Sequence, residues 1–71
     1  MHLKPLTSAT IHAVGYAVAT QTLRIIFRSG AVYEYVNVPE SVYVGLLRAP
    51  SHGAYFSEHI RPAGYEFREV M

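Results

Sequence analysis

Tyr33 and Tyr35 stand two residues apart in the run Gly30-Ala31-Val32-Tyr33-Glu34-Tyr35-Val36, a spacing that puts both rings on one face of a strand. Exposed rings so placed can stack nucleobases, at about 1–3 kcal/mol per base in single-strand binders. Arg24, Arg28, Arg48 and Arg61 could add phosphate contacts, because a guanidinium combines charge with a flat surface that stacks. His52 and His59 are the candidates for acid–base work on RNA. Seven residues of helix would separate them by about 10 Å along its axis. Two metal ligands on one helix ordinarily sit at i, i+4, and the chain has no cysteine to complete a set. No metal and no small-molecule cofactor are expected. All five acids are glutamates, so a Ser-His-Asp triad is impossible, and Ser51 reads as a helix cap. An enzyme is not expected.

The elements that position these residues belong to one small domain of 71 residues, 51% hydrophobic and 15% charged. That composition folds, at a size near the lower end for a core without disulfides. The net charge of +1 is too balanced for strong sequence-independent binding to nucleic acid. The first residues, Met1-His2-Leu3-Lys4-Pro5, lack the apolar stretch of a signal peptide. No segment approaches the roughly 20 apolar residues of a membrane span. The expectation is a cytoplasmic protein without membrane contact.

Thr10 to Tyr16 reads as a first strand. In the second, Leu23, Ile25 and Phe27 share one face and Arg24, Ile26 and Arg28 the other. Ala31 to Val36 is the third. The turn between the last two decides where the tyrosines point. A two-residue loop, Ser29-Gly30, would place Glu34 on the apolar face, which is costly for an unpaired carboxylate. A three-residue loop, with Gly30 in the left-handed position, pairs Phe27 with Ala31. Tyr33 then lies opposite Ile25, Tyr35 opposite Leu23 and Arg24 opposite Glu34. This register is the one expected. The tyrosine rings then pack under helices and are mainly structural.

Pro39, Val42, Tyr43, Leu46 and Leu47 form the stripe of a first helix starting at Pro39, and Ala49-Pro50 stops it. Ser51 caps a second, in which His52, Tyr55, Phe56, His59 and Ile60 repeat the spacing. Pro62-Ala63-Gly64 ends it, and Tyr65 to Arg68 alternates as a last strand whose pairing partner is open. The order β-β-β-α-α-β implies an α+β domain, mainly antiparallel, with two short helices on one face.

With these landmarks placed, the chain from about Ile11 to Phe67 resembles the KTSC domain, which occurs at the C-terminus of some lysyl-tRNA synthetases and as stand-alone bacterial or phage proteins. The resemblance rests on Gly15-Tyr16, Thr22-Leu23 to Phe27, Gly30, Tyr33-Glu34-Tyr35, Val38-Pro39, Tyr43 and Leu46-Leu47-Arg48-Ala49. It continues through Ser51, Gly53, Tyr55-Phe56 and His59-Ile60-Arg61. It implies a non-catalytic binding module with RNA as the partner class. The contact set would be Arg24, Arg28, Arg48, Arg61, Tyr55 and His59. Glu58, and Pro62-Ala63-Gly64 after Arg61, depart from the family pattern and reduce the positive surface that RNA needs. The competing expectation is a protein-interaction or homodimerisation module. It would use the outer sheet face around Ile26 and Val32, with Val14 a candidate for the same patch.

Overall fold

The computed structural model describes residues 1–70. Its sheet is an antiparallel meander of five strands in chain order: β1 (Leu3–Pro5), β2 (Ile11–Ala17), β3 (Thr22–Phe27), β4 (Val32–Tyr35) and β5 (Phe67–Glu69). Between β4 and β5 the chain crosses the sheet as α1 (Glu40–Arg48) and α2 (His52–Tyr55). The second helix runs on through a π-helical turn, Phe56–Ile60, and a 3₁₀ turn, Arg61–Ala63.

The β3–β4 hairpin has the three-residue loop that the buried-charge argument requires. The Phe27 N–H donates to the Ala31 carbonyl at 2.9 Å, and the Gly30 N–H to the Phe27 carbonyl at 2.9 Å. Gly30 has φ +98°, a conformation that only glycine adopts at no steric cost. The pairs Leu23–Tyr35, Arg24–Glu34, Ile25–Tyr33 and Ile26–Val32 follow. The tyrosines therefore share the inner face with Leu23 and Ile25.

Three features lie beyond or against the sequence expectations. First, the N-terminal residues add an edge strand, with Leu3 opposite Gly15 and Pro5 opposite Ala13. Its three residues show no alternation, and proline is tolerated only at such an edge. Second, β5 pairs with β4, with Phe67 opposite Tyr35 and Arg68 opposite Glu34. Third, Val14 belongs to the inner face, opposite Ile25 and fully buried, and not to the outer patch. An irregularity between Ile11 and Ala13 inserts one extra residue, so Ile11 and Val14 both face inward although three apart. His12 is left exposed.

The core gathers Ile11, Val14, Leu23, Ile25, Tyr35, Val38, Leu46, Phe56 and Ile60. Helix α1 begins one residue after Pro39 and seats Tyr43 on Tyr16, with the rings stacked at 5.2 Å. The Ser51 hydroxyl accepts from the Ala54 N–H at 3.2 Å, as a cap. Gly45 has a packing reason: a β-carbon there would clash with the Tyr55 ring and hydroxyl. No helix among the described residues is long and apolar enough to cross a membrane.

Candidate functional site

Over β2 and β3 the inner face is closed, with Ile11, Val14, Leu23 and Ile25 fully buried. Over β4 and β5 the sheet carries aromatic rings instead. Tyr35 is buried, Tyr33 is half-buried, and Phe67 is 58% exposed on β5. Phe67 lies over Tyr35 at 5.2 Å with a 33° tilt and meets Tyr33 edge-on at 5.8 Å. Phe56, from the π turn, meets Tyr35 and Phe27 edge-on at 5.9 and 5.4 Å. These rings line a recess of about 160 Å³ with Tyr65 and Arg61. The Arg61 guanidinium stands 5.7 Å above the Phe56 ring, within cation–π range. Burial pushes the Tyr35 phenol above its ordinary pKa, with a further push from the Tyr33 hydroxyl and an opposing pull from Arg61.

A second, more open recess of about 440 Å³ continues from the first and shares Phe27, Tyr33 and Arg61 with it. Its far side is Thr10, Ser29 and Arg28. Arg28 is held in place: it donates to the carbonyls of Ser8 at 2.9 Å and Leu6 at 3.1 Å. Its third contact, at 3.3 Å, is Nδ1 of His12. Among the described residues, no carboxylate lines either recess.

Of the six residues expected to form one contact surface, only Arg28 and Arg61 line this groove. Arg24 is on the outer face, bound through Nε and Nη2 to the Glu34 carboxylate. Arg48 is exposed at the end of α1, outside both recesses. Tyr55 and His59 pair with one another at 4.6 Å over a separate shallow recess beside Pro50 and Ser51. His52 donates from Nδ1 to the Leu46 carbonyl at 2.8 Å, which ties α2 to α1 and fixes its tautomer. Phe27, Phe56, Tyr65 and Phe67 are the aromatic groove residues that sequence reasoning missed. The alternation Tyr65-Glu66-Phe67 was a signal for the last two, but only the β4–β5 pairing sets Phe67 beside the tyrosines.

The outer face has two rows. Pro5, Ala13, Ile26 and Val32 form an apolar row across four strands, extended by Val70 just after β5, whose N–H donates to the Val32 carbonyl at 2.7 Å. The adjacent row carries Arg24, Glu34 and Arg68 at its centre. Glu34 is 7% exposed and accepts from Arg68 at 3.1 Å as well as from Arg24. Those guanidinium hydrogen bonds, Arg24 first, hold its carboxyl below the usual carboxylate range.

A five-stranded meander backed by two short helices, with an aromatic groove left open at one edge, defines a small α+β domain of one sheet and one helical layer. The model of the KTSC domain family matches residues 7–65, and the chain belongs to that family. It is 37% identical over 65 residues to an uncharacterised protein of Stutzerimonas stutzeri, covering 92% of both chains. It is 48% identical over 59 residues to a segment of the lysine–tRNA ligase of Nostoc punctiforme, which is 83% of this chain and 10% of the ligase. The crystal structure of a KTSC domain protein from Yersinia pestis superposes with a TM-score of 0.93 at 28% identity, covering 99% of this chain and 97% of that one.

Proposed function

We propose that this domain is a non-catalytic RNA-binding module whose contact surface is the groove along β4, between Arg28 and Arg61. The observation that carries the reading is the pairing of two cations with a half-open aromatic surface that no described carboxylate lines. Such a surface offers phosphate contacts and stacking at once. The similarity to a segment of a lysine–tRNA ligase supports RNA as the partner class. Binding of tRNA and of mixed single-stranded RNA at low salt, followed as salt is raised, tests it. Affinity should fall with a log–log slope near −0.7 per phosphate contacted on a single strand. Replacing Arg28 and Arg61 together by Gln should flatten that slope by about 1.4. A slope that both substitutions leave unchanged would place the phosphates elsewhere.

A second reading is favoured by the apolar row on the outer face, where Ile26 is partly and Val70 43% exposed beside the buried Ala13 and Val32. Self-association through that row would make the domain a homodimerisation module. Sedimentation equilibrium decides it: a monomer mass at every concentration removes this reading, and Ile26→Glu should dissociate any dimer that forms.

A further inference from the structure

We infer that the recess between Phe67 and Arg61 takes one unpaired RNA nucleobase, so that the domain selects single-stranded over duplex RNA; this rests on the RNA-binding reading above. The recess is floored by Tyr33 and Tyr35 and walled by Phe56 and Phe67, with Arg61 at its mouth. Flat rings bound it on more than one side, and a flat ring is the complementary ligand. At about 160 Å³ it has room for a single ring system and not for a base pair, whose bases are also already stacked on their neighbours. Phe67 already lies against Tyr35, yet 58% of its surface remains free to extend the stack to an incoming base.

The charges argue for a nucleotide over an apolar peptide side chain. Arg61 belongs to both recesses, so a base in the smaller one leaves its phosphate facing the open side, where Arg28 is already anchored. Glu69 shares the inner face opposite Tyr33 but lines neither recess. As a rim carboxylate it opposes phosphate, and Glu69→Gln should tighten binding about twofold, by the small reach of an exposed charge.

The test uses one ten-nucleotide RNA in three forms: single-stranded, annealed to its complement, and with abasic sites at alternate positions. Affinities are measured by fluorescence anisotropy at one low salt concentration. The single strand should bind at least about 5-fold more tightly than the other two, and Phe67→Leu should cost it about 5- to 150-fold, the range for loss of one stacked base. Phe67→Trp should keep the preference, and Phe67→Leu should leave the salt slope unchanged because no phosphate contact is removed. Equal affinity for the three forms, with Phe67→Leu neutral, overturns the base pocket and leaves phosphate binding standing. No binding of any form overturns the RNA reading and the pocket with it.

Discussion

The two halves of the inner sheet face are built from similar strands and end in different states. Over β2 and β3, Ile11, Val14, Leu23 and Ile25 have no exposed surface. Over β4 and β5 the rings of Tyr33 and Phe67 stay partly in solvent, and all three β5 side chains are exposed. The difference comes from reach. A nine-residue helix is about 13 Å long, so α1 and the short α2 cannot roof five strands spaced about 4.8 Å apart. What a helix does not cover must tolerate water, and tyrosine and phenylalanine at a rim tolerate it better than a continuous aliphatic face. The covered half supplies stability, and the open half keeps aromatic surface within reach of solvent.

The sharpest way to break that division is to cut into the covered half. Ile25→Ala removes a fully buried side chain and should cost about 2–5 kcal/mol, measured by urea unfolding. For so small a domain that is a large share of a total near 5–15 kcal/mol. Next comes Gly45→Ala. Helix propensity alone would gain about 1 kcal/mol. The new methyl would press on the Tyr55 ring and hydroxyl, so the net effect should be a loss of about 1–2 kcal/mol. A net gain would mean that α1 and α2 are seated loosely, and the contrast between the halves would soften.

How much of this was legible follows the same division. The β3–β4 register could be read because one misplaced residue, Glu34, would have put a carboxylate among Leu23, Ile25 and Phe27. Local chemistry excluded the alternative. The stripe Val42, Tyr43, Leu46 and Leu47 carried α1, and Ser51 carried the start of α2. The β2 irregularity left no such signal: Val14 looked as outward as Ile26 until the extra residue reversed its parity. Nor does a local pattern say how far a helix reaches across a sheet, so the tyrosines were expected under a roof that stops short of Tyr33. The separate fates of Arg24, Arg28 and Arg61 are tertiary facts, set by which strand edge and which turn each arginine meets.

The open half is also held from behind. On the outer face, Glu34 binds Arg68 and so fastens β5 to β4 beneath Phe67. Because the folded carboxyl sits below its ordinary pKa, its contribution is fully present above about pH 4.3. It is lost as pH falls through the lower folded value. Glu34→Gln should therefore cost about 1–2 kcal/mol at pH 7, a range that allows for the solvent exposure of both arginines. The variant and wild type should converge as the solution is acidified below about pH 4. Hydrogen exchange at the β5 amides should rise at the same time. If the difference persists unchanged at pH 2, Glu34 acts through packing and not through charge.

The smallest effect on stability is the most informative. Phe67→Leu touches a side chain that is 58% exposed on a three-residue edge strand. Its edge contact with Tyr33 and tilted contact with Tyr35 would be lost, and aromatic pairs contribute about 0.5–1.5 kcal/mol at most. With so much of the ring in water, the cost should stay below about 1 kcal/mol, a melting shift of no more than about 4–8 °C at this size. A buried ring of the same bulk in the same groove, Phe56 at 4% exposed, should lose about 3–5 kcal/mol on truncation to Ala. If Phe67→Leu instead destabilises the domain as a core substitution does, β5 is part of the roof, the groove is a structural seam, and the open half has no surface to spare for a ligand.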